Sequence, residues 1–541
     1  AEEQAGLVSW GVCACILVLG VATWMVFRYS RRDAPFLVRL ATVWCWWNTF
    51  SIIYLLPIDL APSTGAGDPL VSIWSFMYWT SFVLAWTIIP VAWYYYEAGD
   101  FTPWSKFRYA LRANLRFYAI AAVLLIIFAI VVVVNHGMNE AGPLGVLIFL
   151  SNTWGLSLYI LLLGYGMVEV PRSFWYESSL AKSLEYCYYK AAQTHDLMER
   201  AADDLVTTQS YVTRMARGIP NHYMYRNQLN IIEERLTVLD NIDLKMDGNM
   251  SDFSETDFAA ELREAKEPDL PMLVKLNSHV RTSIVKYFRL RDTMHDTAEN
   301  AANLQILVAR QSQPMASLCS QGCGGIPSAL HLRWMLRWRE ITYKVLAFVF
   351  AALSCLLVWS ELTIAHNSIS PWAVSYRSAK DSDVSVQIAT LIPLTYLCSC
   401  AFFSLFRLQL FDYYHMDSKR RTGTVSLLFN GTYILRIFGP IGANFIALVG
   451  VDKDTIAFQK VIGDISVVPA LGDGFNTYLP ILISIFALCV LFNVYHRILR
   501  FLGIEVFTYW SANDEDRLEE GKRLVDVYSS AVRDESADNF L

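Results

Sequence analysis

Continuous apolar runs of about 20 residues recur along this chain, and they leave it few ways to fold. A bilayer core needs a helix of about that length, and only helices or closed barrels satisfy every backbone polar group in lipid. A barrel would show alternating strands of about ten residues, whereas these runs are uninterrupted. Nine of them are predicted spans: 7–27, 40–60, 71–94, 117–134, 144–168, 341–364, 388–406, 425–449 and 479–494. With 54% hydrophobic and 17% charged residues in 541, the sequence predicts an all-α polytopic membrane protein.

The long hydrophilic stretch from 170 to 340 divides the spans into five and four. The predicted organisation is spans 1–5 in 1–169, a helical insert in 170–340, spans 6–9 in 341–498 and a tail in 499–541. Inside the insert, apolar or small residues alternate at three and four positions: Leu184, Cys187, Ala191, Met198, Ala201, Leu205, Val212 and Met215. Gly218 and Pro220 stop that arm. The pattern returns at Leu273, Leu276, Val280, Tyr287, Leu290, Met294, Ala301, Leu304 and Val308, between Pro271 and Pro314. This is the spacing of a coiled-coil seam, so the insert reads as an antiparallel, coiled-coil-like hairpin with a polar turn at 246–257. Such a hairpin either packs only on itself or docks a cytosolic partner protein or a second copy of the chain.

Loop charges orient the spans. Arg28, Arg31, Arg32 and Arg39 follow the first run, and Lys106, Arg108, Arg112 and Arg116 the third. Lys419, Arg420 and Arg421 follow the seventh, and Arg497 and Arg500 the ninth, while the loops after the second and fourth contain no Lys or Arg. The positive-inside rule places the N-terminus outside and both the insert and the C-terminal tail in the cytosol. Ala1 is compatible with removal of an initiator methionine or of a signal peptide. Seven of the ten cysteines lie in apolar runs and three in the insert, so no extracellular disulfide framework is expected. Cys319 and Cys323 read as plain thiols, with palmitoylation as the alternative. The net charge of −6 argues against a nucleic-acid partner.

Catalytic and metal signatures are absent from the sequence. There is no phosphate-binding GxxxxGK[ST], no HExxH pair and no GxSxG elbow, and no two histidines share a metal-ligand spacing. The chain is read as no enzyme, with no cofactor and no metal. Charged residues in the runs are the remaining candidates. Asp59, Glu97, Glu169, Glu361 and Arg407 fall near run ends, where interface anchoring is the ordinary role. Asp59 has a further claim, because Pro57, expected to break the helix, frees a backbone carbonyl close by.

Arg436 is different, since it lies near the middle of the eighth run. An Arg at the bilayer centre costs about 2.5–3.5 kcal/mol on insertion scales and should face protein or water. Asn430 and Gly431 precede it, and Gly439, Pro440 and Asn444 follow. Breaks at Gly431 and at Gly439–Pro440 would make a discontinuous helix with a charge at mid-depth, as many transporters use. The expectation is a polar pocket shared by Arg436, Asn430 and Asn444, the alternative a structural Arg bonded to carbonyls of neighbouring helices.

Several segments in register carry a likeness: YLLPIDL (54–60), YEAGDFTPWSKF (96–107), GYGMVEVPRSFW (164–175), FLGIEVF (501–507) and DRLEEGKRLV (516–525). Together they resemble the limb region 1 (LMBR-type) membrane protein family, most closely its limb-region domain-containing protein 2 branch. The resemblance implies nine spans around a cytosolic coiled-coil loop, a receptor-like or adaptor role, and for this branch a link to G-protein-coupled receptor signalling at the plasma membrane. It carries no catalytic residues. Another member of the family takes part in lysosomal cobalamin export and shares a Leu-Pro-x-Asp span end. A transporter, or a transporter subunit for a small molecule or lipid, in an endolysosomal membrane is therefore the rival expectation.

Overall fold

The computed structural model describes residues 2–62, 64, 68–134, 142–237, 268–311, 334–364, 366, 368–407, 416–417, 419–451, 456–462, 472–492, 494 and 515–538. Among these, the regular elements are helices, joined by one isolated parallel bridge between Ser30 and Thr422. The chain divides into two units. One holds Ala1–Tyr96, Leu111–Trp175 and Tyr343–Val506, and the other Glu97–Ala110, Tyr176–Thr342 and Phe507–Leu541.

In chain order the helices begin with α1 (Glu2–Tyr29), α2 (Phe36–Phe50), α3 (Ile52–Asp59), α4 (Asp68–Val83), α5 (Ile89–Glu97), α6 (Pro103–Val134) and α7 (Gly142–Glu177). The insert supplies α8 (Leu180–Gly218), α9 (Arg226–Leu236) and α10 (Leu270–Gln311). Next come α11 (Arg339–Leu362), α12 (Pro371–Ala379), α13 (Asp383–Arg407), α14 (Thr424–Val449), α15 (Ala457–Ile462) and α16 (Gly472–Leu491). The last is α17 (Glu515–Asp538).

Among the described residues, seven stretches are long and apolar enough to cross a membrane: Ser9–Tyr29, Phe36–Asp59, Pro69–Glu97, Trp154–Glu177, Trp334–Leu362, Asp383–Arg407 and Thr424–Val449. They coincide with seven of the predicted runs. The fourth run, 117–134, lies within α6, and the ninth overlaps α16, whose described apolar part, Leu482–Leu491, is shorter.

Two spans carry local irregularities with identifiable causes. Between α2 and α3 the Ser51 hydroxyl donates to the Trp47 carbonyl at 2.7 Å, a back-bond that bends helices. Pro57, expected as a break, sits inside α3 instead. Between α4 and α5 the backbone widens into a π turn, Leu84–Ile88. Pro90 follows directly, and in an unbroken α-helix its ring would clash with the Trp86 carbonyl; one wide turn relieves that clash.

The core of the first unit gathers around α14, nearly all of which is buried. Trp46, Trp74, Tyr159, Phe438, Phe445 and Phe458 are fully enclosed. Small residues allow close approach. A Cβ at Gly442 would collide with the Phe458 ring, and one at Gly166 with the Cys400 carbonyl of α13. Gly450 closes α14 in the left-handed conformation, with φ 68°, the common helix stop. At the other end of α14, Thr422 and Arg420 bond back to Tyr29 (3.0 Å) and Arg28 (2.9 Å), so two basic loops are stitched into one.

The second unit has its own core. The Gln305 amide donates to the Tyr188 hydroxyl at 2.9 Å, and the Ser283 hydroxyl to Asp204 at 2.7 Å. Rising numbers on α8 therefore meet falling numbers on α10, and the two helices run antiparallel. Leu205, Val212, Leu273, Leu276, Val280 and Leu290 are buried together in the seam between them, with Ile232 of α9. Asp269 caps α10 by accepting from the Met272 amide at 2.9 Å, and α8 ends at Gly218 as expected. Burial would lift the Asp204 carboxyl, but hydrogen bonds from His279 and Ser283 outweigh it and hold it below the ordinary aspartate range. Its contribution is thus present at neutral pH and lost as pH falls through the lowered value.

Within 499–541, read above as a tail, α17 joins α8, α9 and α10 in this unit. On α17, Val525 is buried with Ala191, Met294 and Ala301, and Gly521 lies so close to the Tyr188 backbone that a Cβ could not fit. The 246–257 turn, Pro314, Cys319 and Cys323 lie outside the described residues.

Candidate functional site

The site starts from one missing hydrogen-bond donor. Pro440 has no N–H for the carbonyl of Arg436, four residues earlier. In many helices that loss produces a kink or break, yet α14 runs continuously from Thr424 to Val449 through Gly431, Gly439 and Pro440. The predicted discontinuity is therefore absent. Neighbouring backbone makes this possible, because proline is tolerated in a span when other helices surround the freed group. Gly155 of α7 approaches there so closely that a Cβ would meet the Arg436 carbonyl oxygen and the Pro440 ring.

The Arg436 side chain reaches the π turn. Its Nη2 lies 3.5 Å from the Ala85 carbonyl. The guanidinium carbon is 4.4 Å from the Trp86 ring centroid and 5.4 Å from that of Tyr433, both within cation–π range. Nε is buried with no hydrogen-bond partner. Among the described residues, no carboxylate lies within ion-pair distance of Arg436. Beside it is a cavity of about 40 Å³, lined by Tyr78, Ser81, Phe82, Trp86, Phe438 and Pro440 among others.

Asn430 and Asn444, expected to share this pocket, are engaged elsewhere. Asn430 Oδ1 accepts from the indole N–H of the buried Trp46 at 3.0 Å. Asn444 donates to Glu361 Oε1 at 2.7 Å and reaches the Tyr159 hydroxyl at 3.3 Å. Glu361 was predicted to anchor at an interface; it is instead fully buried, and its Oε2 has no partner. The depth of a residue along its helix says nothing about which neighbours enclose it, and here α7 and α14 do.

Asp59 is likewise no interface anchor. Its carboxylate accepts from the Ala457 amide (3.0 Å), the Phe458 amide (2.7 Å) and the Trp74 indole (3.0 Å). It caps the start of α15 and ties α3, α4 and α15 together. Glu169 accepts from Arg172 at 2.5 Å and lies 3.9 Å from Arg407, so two of the run-end charges, Glu169 and Arg407, form one cluster with Arg172. Sequence reasoning missed Glu361 as the partner of Asn444, and Trp74 as the partner of Asp59. No local pattern links residues so far apart in the chain.

With this geometry in place, comparison with known proteins is informative. The family model described as LMBR1-like membrane protein matches residues 8–495. The Gallus gallus protein named G-protein coupled receptor-associated protein LMBRD2 is 27% identical over 573 residues, covering 94% of this chain and 82% of that protein. The Homo sapiens protein of the same name is 26% identical over 577 residues, with the same coverage. The Dictyostelium discoideum LMBR1 domain-containing protein 2 homolog A is 27% identical over 475 residues, covering 85% of this chain and 63% of that protein. No solved structure matches.

Proposed function

Because the chain belongs to the LMBR1-like membrane protein family, we propose that it is an integral membrane adaptor acting on G-protein-coupled receptor signalling. In this reading nine spans carry a cytosolic coiled-coil domain that meets signalling proteins, at the plasma membrane, with the N-terminus outside. A receptor or a second copy of the chain is a further partner, and no step is catalytic. The observation that carries the reading is the second unit. Its buried core is built from α8, α9, α10 and α17, the last far from the others in the chain, so it is a body with its own core, which supports a role as a contact module. The printed names of the relatives supply the receptor link.

Two measurements test this. A specific protease site placed within 246–257 should stay uncut in sealed right-side-out vesicles and be cut once they are opened; cutting in sealed vesicles overturns the orientation. In cells lacking the chain, the agonist response of a G-protein-coupled receptor should change, and the full chain should restore it. A version that reaches the same membrane with residues 180–311 replaced by a Gly/Ser linker should not. Full restoration by the linker version removes the adaptor reading.

The transport reading keeps one specific observation in its favour, the unpaired Arg436 beside a cavity at mid-span. Substrate-dependent flux through the full chain in proteoliposomes separates it from the adaptor reading.

A further inference from the structure

The Arg436 cavity has a chemistry that its protein neighbours leave incomplete. The guanidinium carbon lies over the Trp86 and Tyr433 rings, and neither ring takes up an in-line N–H bond as a carboxylate would, so an additional ligand finds its place at the edge, where the N–H groups lie. That edge offers Nε with no acceptor and Nη2 with only a long contact of 3.5 Å. A planar carboxylate accepts two parallel N–H bonds from such an edge.

Depth and size narrow the ligand. Arg436 is twelve residues into the 26-residue α14, about 18 Å along the helix from its start at 1.5 Å per residue. A phospholipid headgroup, held at the interface, does not reach that depth. The cavity's volume of about 40 Å³ admits a headgroup or a few waters, not a whole amphiphile. The lining residues Phe82 and Trp86 are half-buried, so the cavity reaches the side of the bundle at mid-span. Val83 and Ile88, on the same span though outside the cavity lining, are 46% and 51% exposed, so the outer surface of this span is apolar. A ligand arriving there comes from hydrocarbon, which excludes hydrated ions and favours a molecule with a chain.

We infer that the cavity beside Arg436 binds a single-chain carboxylate amphiphile of the fatty-acid type. Its carboxylate pairs with the guanidinium edge, and its chain lies outside the cavity along the apolar surface of the span. The inference does not rest on the adaptor role and holds for a transporter as well.

The test uses the full chain in phosphatidylcholine nanodiscs. The probe is palmitic acid carrying a diazirine near its carboxyl end, compared with the matched alcohol. After illumination, peptides containing 78–86 and 435–440 should carry about tenfold more label from the acid than from the alcohol, a ratio typical of one good charged contact. Unlabelled palmitate should remove the label, and exchanging gluconate for chloride in the buffer should not. R436Q should reduce acid labelling to the level of the alcohol, while R436K keeps most of it. Equal labelling by acid and alcohol overturns the inference in favour of a plain apolar groove, and loss of label in chloride overturns it in favour of a small inorganic anion. The acid–alcohol comparison is made on the unsubstituted chain, so it decides the matter even if R436Q does not fold.

Discussion

Replacing Asp59 by Ala is expected to destabilise the membrane unit by about 3–5 kcal/mol, the size of effect seen when one partner of a buried, hydrogen-bonded charged group is removed. Three donors lose their acceptor at once: the Ala457 and Phe458 amides and the Trp74 indole. All three belong to buried residues, so water cannot take the place of the carboxylate. Thermal unfolding of the purified full chain should move to clearly lower temperature, and the amount delivered to the membrane should fall. Asp59→Asn keeps one acceptor oxygen and should lie between the two. An Ala variant that melts like the parent would show that α15 holds its place by the Phe458–Trp74 edge contact, at 4.9 Å, without the cap.

Leu290→Asp should have a comparable effect in the other unit, about 3–5 kcal/mol, from lost packing together with a buried, unpaired charge. Leu290 is 5% exposed in a cluster with Leu205, Val280 and Tyr287. Hydrogen exchange on the full chain should show protection lost across α8 and α10. Val285→Asp, five residues earlier on the same helix but 46% exposed, should change protection little, within about 0.5 kcal/mol. Equal behaviour of the two variants would mean that the seam is not where the burial places it.

The legible parts of this molecule were those written in local periodicity. The seam of α8 and α10 could be read from three-and-four spacing, because each apolar residue reports its own face of its own helix. Spans could be read because lipid imposes a length. Contacts across the chain could not. Asp59 meets residues 457 and 458, and Asn444 meets Glu361. In the sequence each is a lone polar residue near a span end, and anchoring is the ordinary role for such a residue. The continuity of α14 was misread for a related reason. Glycine and proline weaken an isolated helix, but Gly155, on another helix, decides what Pro440 does here. Gly521 was opaque in the same way. In DRLEEGKRLV it looks like a weak point of a surface helix, and only contact with Tyr188 shows that its lack of a side chain is what lets α17 close on α8.

That closure bears on how the molecule is made. The surfaces of α8 and α10 that surround Val525 are synthesised some two hundred residues before α17, with several spans still to be inserted in between. Throughout that interval the strip formed by Ala191, Met294 and Ala301 lacks the cover that Val525 later gives it. The bundle therefore closes in two stages, α8 with α10 first and α17 afterwards.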